Sequence, residues 1–207
     1  MSYHRENRLF LRKSEKKLPW LLRSHPHVLT TEAMALLMGR QASEYEFLKQ
    51  FCNINDSNLA NELRKGSIRR QLVFASSTFV ITDFEYELYK NPDQDLNKLW
   101  WYLYNKYYKM EIPENRENDF DWAAKYHIGL APVYYYGYLY GEVFASDLTN
   151  RLKKLCNANY IWKEESAKFL NEKLFGPGAE YKWDKLIKHA TGEDFSLEAW
   201  INECNSY

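Results

Sequence analysis

Apolar residues recur at spacings of three and four along most of the chain, which is the period of a helix with one buried face. The most apolar stretch, TTEAMALLMG, predicts a helix with Thr30 or Thr31 as its N-cap and an end at Gly39. Residues 42–65 fit two helices separated by the turn NINDSN. After a second turn at 91–95, LNKLWWYLYNKYYKM fits an amphipathic helix rich in aromatic residues.

One segment has a mixed pattern. Residues 67–90 combine a strand-like run, VFASSTFVIT, with a helix-like sequel, DFEYELYK. A helix that crosses the core is the preferred interpretation, because no second strand is evident to pair with the run. A polar loop at 111–119 follows, then a long helix toward Cys156, and a helical tail. We therefore expect an all-α fold, a helical bundle, with a charged arm at 1–17 and a single domain at 18–207.

The charge balance argues against nucleic acid or an anionic membrane as a partner, because the chain carries 28 basic and 28 acidic residues. No apolar run reaches the length of a membrane span, and the charged start MSYHRENR is unlike a signal peptide. The three cysteines, Cys52, Cys156 and Cys204, lack metal-type pairing and favour a reducing compartment. A cytoplasmic protein is expected, although a fragment would lack any leader of the parent protein.

The candidate chemistry lies in the segment 119–147, DFDWAAKYHIGLAPVYYYGYLYGEVFASD. If its second half is helical, Tyr135, Tyr138 and Glu142 share one face. Phenols beside a lysine and His127 fit a site that binds and polarises a carbonyl group. The alternative is an amphipathic core helix whose hydroxyl groups reach water, in a chain that has 17 tyrosines.

The same segment resembles known zinc peptidases. KYHIGLAPVYYYGYLYGEVFASD is similar to the substrate-binding segment of the peptidases related to thimet oligopeptidase, and DFDWAAKYHI to the matching segment of the angiotensin-converting enzyme family. QLVFASSTFVITDFEYELY and KWDKLIKHATGEDFSLEAW also resemble parts of that group. The resemblance implies the all-α, C-terminal part of a zincin-like catalytic domain. It also implies a zinc-dependent peptidyl-dipeptidase, carboxypeptidase or oligopeptidase that hydrolyses short peptides.

The resemblance also implies roles for individual residues. Tyr138 is the expected donor to the oxygen that becomes negatively charged during peptide hydrolysis. His127 and Tyr135 are expected to be further hydrogen-bond partners of the substrate. Lys125 matches a lysine that pairs with the terminal carboxylate of the substrate. Tyr136 is the alternative to Tyr138 and a further substrate-binding candidate.

The zinc site implied by the resemblance is incomplete in this sequence. Residues 18–37 resemble the region that carries the third zinc ligand of the angiotensin-converting enzyme family, which places that ligand at Glu32. The other two ligands come from an HExxH helix upstream. The family spacing places this helix at HRENR, where His4 matches the first histidine, Arg5 the catalytic glutamate and Arg8 the second histidine. A guanidinium group neither ligates zinc nor acts as a base, and HExxH occurs nowhere in the chain.

Three hypotheses follow. The first is a fragment or truncated product of the peptidase family that is inactive alone, with zinc a cofactor of the complete members only. The second is a non-catalytic helical module that binds peptides or proteins and has lost zinc, as the two arginines suggest. The third is complementation, in which a separate chain supplies HExxH. A fragment is expected to expose a large apolar surface, and a binding module a polar one.

Overall fold

The computed structural model describes residues 17–206, and the regular elements within that range are helices. The predicted all-α fold is confirmed. The α-helices are Val28–Arg40 (α1), Tyr45–Phe51 (α2), Ser57–Lys90 (α3), Leu96–Tyr108 (α4), Tyr126–Gly129 (α5), Tyr136–Cys156 (α6), Glu164–Leu170 (α7), Trp183–Thr191 (α8) and Glu198–Asn205 (α9). Short 3-10 turns span Trp20–Leu22, Gln41–Ser43 and Asp121–Ala124, and a π turn spans Asn171–Phe175. His4, Arg5, Arg8 and the arm that contains them, Lys17 excepted, lie outside the described residues.

The predicted ends of α1 are wrong. The N-cap is His27, whose Nδ1 accepts a hydrogen bond of 3.2 Å from the backbone N–H of Leu29. Thr30 and Thr31 lie inside the helix, where their hydroxyl groups donate to backbone carbonyls three residues earlier, at 2.6 and 2.8 Å. Gly39 has no left-handed backbone conformation to end the helix, so α1 continues to Arg40.

The strand-like run VFASSTFVIT lies within helix α3, so the preferred interpretation of this segment as a helix is confirmed. This helix is continuous over 34 residues. Gly66 lies inside it and does not separate two helices. Its start is capped by Asp56, whose Oδ1 accepts hydrogen bonds from the backbone N–H groups of Asn58 and Leu59. Val80 and Ile81 of the run are buried in the core of the second unit, and this packing overrides their preference for strands, whereas Val73 is exposed. No helix of the described range is long and apolar enough to cross a lipid bilayer.

The described chain divides into two compact units. The first unit contains residues 17–69 and 140–206, and the second contains residues 70–139. The single domain at 18–207 stays a prediction.

Close packing between α1 and α6 forms part of the core of the first unit. A Cβ atom built on Gly141 would lie only 2.9 Å from the Cβ of Glu32 and 3.1 Å from the backbone nitrogen of Ala33. The glycine therefore allows the backbones of the two helices to approach closely. Around this contact the buried apolar side chains of the helices gather, among them Leu29, Met34, Leu37, Phe144, Leu148 and Leu152.

A buried ion network also stabilises the first unit. Arg40, whose side chain is 4% exposed, pairs with Glu142 at 2.5 Å and with Glu203 at 2.8 Å. Arg64 pairs with the other carboxylate oxygen of Glu203. The hydroxyl of Ser146 donates a hydrogen bond to the Glu203 oxygen that Arg40 contacts. Each buried charge thus has partners of opposite sign or hydrogen-bonding groups, as burial of charge requires. Glu142, considered for the candidate site because of its spacing, is a member of this network.

In the second unit, the C-terminal part of α3 and the helix α4 pair as an antiparallel helical hairpin. Asp95 caps the start of α4 by accepting a hydrogen bond from the backbone N–H of Lys98 at 2.9 Å. Phe84 and Trp100 pack edge to face with ring centroids 5.2 Å apart. Ile128 adds one residue of the short helix α5 to this core. The aromatic core therefore anchors the segment that carries the candidate site residues.

Candidate functional site

Four side chains of the second unit form a compact group, which we call the tyrosine–histidine cluster: His127, Tyr134, Tyr135 and Tyr138. Nε2 of His127 lies 3.2 Å from the hydroxyl oxygen of Tyr138, at hydrogen-bonding distance. The ring centroids of Tyr134, Tyr135 and Tyr138 lie 5.8, 4.8 and 5.6 Å from that of His127. All four residues are half-buried. The structure therefore brings together three of the candidate site residues, His127, Tyr135 and Tyr138, and adds Tyr134 to them.

The local fold explains this arrangement. His127 belongs to the single turn α5, whose next residue, Ile128, is buried in the core of the second unit. Residues 130–135 then lead to α6, so Tyr135 immediately precedes the helix and Tyr138 lies in its first turn. Phe74 of α3 packs against both Tyr135 and Tyr138, with centroid distances of 5.8 Å each. Two rings of the cluster therefore pack against an apolar side chain of α3.

Electrostatics favour a neutral imidazole in the cluster. Burial lowers the pKa of His127, and the nearby carboxylate of Glu85 opposes part of this effect. A neutral imidazole has one nitrogen that donates and one that accepts a hydrogen bond. Together with the phenol groups it offers donors of the kind that bind a carbonyl oxygen.

The connection that leads into the cluster has a strained backbone. Val133 adopts a φ of 55°, in the left-handed region that β-branched residues rarely occupy. Its backbone N–H donates a hydrogen bond of 2.7 Å to Oε1 of Glu85, which is 6% exposed. Sequence reasoning missed both residues. The available signal was the helical spacing of Ile81, Phe84, Glu85 and Leu88, which puts one carboxylate on an otherwise apolar face.

Comparison with known proteins decides the family. A model described as Peptidase family M3 matches residues 36–206, which is most of the chain. The chain belongs to peptidase family M3. The crystal structure titled BsuCP matches 99% of this M3 chain with a TM-score of 0.71 and 18% sequence identity. At that identity the likeness establishes the fold alone, and the M3 chain spans 46% of the length of the BsuCP chain. The predicted relationship to the C-terminal portion of a helical peptidase is confirmed.

The remaining substrate-binding candidates of this M3 chain are Lys125 and Tyr136, which lie close to members of the cluster in the sequence. Lys125 is exposed and precedes α5, with its ammonium nitrogen 6.0 Å from the ring centroid of the buried Trp100. Its charge is therefore accessible to a carboxylate in solution. Tyr136 is the first residue of α6 and is half-buried. Their substrate-binding roles stay predictions.

The proposed zinc ligand of the M3 chain belongs to the first unit. Glu32 is half-buried and is the fifth residue of α1. Within residues 17–206, no three side chains of His, Cys, Asp or Glu are grouped so that they could hold a metal ion. A catalytic zinc ion takes three protein ligands. The described residues therefore do not form a zinc site on their own.

Proposed function

We propose that this chain is the peptide-binding part of an M3-type metallopeptidase, and that the tyrosine–histidine cluster binds a backbone carbonyl of the peptide. The observation that carries the proposal is the hydrogen bond between His127 and Tyr138, surrounded by the rings of Tyr134 and Tyr135. Family membership supplies the substrate class, a short peptide. The chemistry of the cluster supplies the point of contact.

The chemical role of Tyr138 follows from its position. We propose that the Tyr138 phenol, in the first turn of α6 and in contact with the imidazole of His127, turns its O–H toward a carbonyl oxygen of the peptide when the peptide binds. The imidazole restrains the phenol, so less freedom is lost when the peptide binds. In a complete peptidase the same donor would stabilise the negative charge that develops on this oxygen. Removal of one such donor typically lowers the rate by about 10²- to 10³-fold.

Hydrolysis is not proposed for this chain alone. Glu32 is the proposed third zinc ligand, and the other ligands of the complete members belong to an HExxH helix, by the sequence resemblance. We propose that such a helix, on a longer form of the protein or on a separate chain, is needed for activity.

A non-catalytic peptide-binding protein is the second candidate. The observation that favours it is the pair Arg5 and Arg8 at the offsets where HExxH would have its catalytic glutamate and second histidine. Both candidates require peptide binding by the cluster, and they differ in whether an added HExxH-bearing chain restores hydrolysis.

The direct test is peptide binding by the purified chain. The probe is a pool of fluorescein-labelled pentapeptides with free carboxyl ends, measured by fluorescence anisotropy. Tyr138→Phe keeps the ring and removes the donor, so we expect about tenfold weaker binding, the effect of one hydrogen bond. His127→Gln is expected to weaken binding similarly.

The matched control is Tyr102→Phe, because Tyr102 is exposed on α4 and is not a member of the cluster. It should bind the pool with wild-type affinity. The proposal is contradicted if the wild-type chain does not bind the pool, or if Tyr138→Phe binds as tightly as Tyr102→Phe.

A further inference from the structure

Glu85 is a buried carboxylate in the second unit, and its hydrogen bonds point to a role in the site. Oε1 accepts a hydrogen bond of 2.7 Å from the backbone N–H of Val133 and one of 3.2 Å from the hydroxyl of Tyr89. Only 6% of the residue is exposed. Burial of a carboxylate is costly unless it is hydrogen-bonded. One of its two partners belongs to the connection that leads directly into the tyrosine–histidine cluster.

Val133 is the residue at which this connection needs support. A φ of 55° places the branched side chain close to its own backbone, a conformation that persists only where the surrounding structure imposes it. The valine side chain itself is 59% exposed, so core packing does not hold it there. The hydrogen bond to Glu85 is the contact that acts on the backbone of Val133.

The position of Val133 in the chain links this contact to the cluster. Val133 immediately precedes Tyr134 and Tyr135, and both rings contact His127. On the other side of the connection, α5 is fixed by the buried Ile128. The backbone conformation at Val133 therefore decides where the following tyrosine side chains lie relative to the imidazole.

We propose that Glu85 is the positioning residue of the tyrosine–histidine cluster, holding Val133 in its left-handed conformation and thereby fixing Tyr134 and Tyr135 against His127. The inference rests on the proposed peptide-binding function of the cluster. It assigns Glu85 no contact with the peptide. Its effect on binding acts through the backbone of residues 133–135.

The experiment compares four variants with the wild-type chain: Glu85→Ala, Glu85→Gln, Val133→Gly and the double variant Glu85→Ala/Val133→Gly. Glu85→Ala removes the acceptor and should weaken binding of the fluorescent pentapeptide pool about tenfold. Glu85→Gln keeps an acceptor oxygen at the same place and should stay within about threefold of wild type. Glycine adopts positive φ without strain, so Val133→Gly should restore most of the affinity in the Glu85→Ala background.

The rescue separates positioning from general stabilisation. If Glu85 only stabilises the second unit, Val133→Gly has no reason to repair the loss, and the double variant binds as weakly as Glu85→Ala. That outcome overturns the proposal, as does wild-type affinity in Glu85→Ala.

A readout without peptide keeps this test independent of the proposed function. The ring-proton resonances of Tyr134, Tyr135 and His127 are measured by NMR in the unliganded chain. We expect them to move in Glu85→Ala and to return in the double variant. If they do so while the wild-type chain binds no peptide, the positioning role stands and the proposed function fails. If they do not move in Glu85→Ala, the positioning role fails whatever the affinities are.

Discussion

His127 couples the cluster to pH at the level of a single residue. Burial lowers its pKa from the ordinary value of 6.5, so the unfolded chain binds the proton more readily than the folded chain. Proton uptake below pH 6.5 therefore favours unfolding, and the free energy of unfolding declines as the pH falls through this range. His127→Gln should reduce this decline, measured by urea unfolding between pH 5 and pH 8.

The decline should not disappear in that variant. Burial also lowers the pKa values of His25 and His27, and their contribution remains. Identical pH dependence in the wild type and in His127→Gln contradicts the prediction.

Lys125 offers a second test at the residue scale. Its exposed ammonium group is expected to pair with the free carboxylate of a bound peptide. Lys125→Gln should reduce the preference for pentapeptides with a free carboxyl end over amidated ones by about fivefold. Lys98→Gln, a change at an exposed lysine of α4, is the matched control. An unchanged preference in Lys125→Gln removes the lysine from the site.

Sequence reasoning reached part of the site for a physical reason. His127, Tyr135 and Tyr138 are close together in the chain, so a short turn and a helix start bring them together. Glu85 is 48 residues from Val133, and their hydrogen bond is a tertiary contact that spacing along the chain does not reveal. The positive φ of Val133 is likewise absent from the sequence pattern, since valine does not favour that conformation.

At the scale of elements, substitution of two helical glycines by alanine should change the free energy of unfolding in opposite directions, because only Gly141 lies at a close contact between helices. Gly141→Ala places a Cβ atom 2.9 Å from that of Glu32, so the helices must separate, which should lower the free energy of unfolding by about 1–3 kcal/mol. Gly66→Ala on α3 meets nothing within 4 Å and should raise it by about 0.5–1 kcal/mol.

Urea unfolding of both variants measures the difference. If Gly141→Ala is as stable as Gly66→Ala, then Gly141 is not needed for the close approach of α1 and α6.

The helices were predictable from periodicity, but their ends depended on side-chain geometry. The order and approximate positions of α4, α6, α8 and α9 follow from apolar spacing and turn residues. At α1 the threonines favoured by N-cap statistics bond back into the helix, while His27 supplies the cap. At α3 an exposed glycine was tolerated inside a long helix because the rest of the segment packs well. Local propensity gives way to tertiary contacts in both cases.

At the scale of the whole molecule, the central question is zinc. Glu32 is the candidate ligand, and no group of three ligands exists within residues 17–206. We expect the purified chain to bind zinc weakly in titration calorimetry, with no difference between the wild type and Glu32→Ala. One tightly bound equivalent of zinc that is lost in Glu32→Ala contradicts this expectation and requires further ligands.

The division into two compact units lies beyond what the sequence revealed. The first unit combines residues 17–69 with residues 140–206, so its core joins segments far apart in the chain. Apolar periodicity identifies the face that each helix buries, but it does not identify the helix against which that face packs. The family, in contrast, was accessible from the sequence, because a short segment with the spacing of KYHIGLAPVYYYGYL carries it.

The most direct test of the account follows the carbonyl group itself. A pentapeptide selected from the binding pool is labelled with ¹³C at its backbone carbonyls and titrated with the protein. We expect one carbonyl resonance to move downfield on binding to the wild-type chain and to Tyr102→Phe, because a phenol donates a hydrogen bond to it, and to lose that shift with Tyr138→Phe. A bound peptide with no shifted carbonyl, or with the same shift in Tyr138→Phe, contradicts the account.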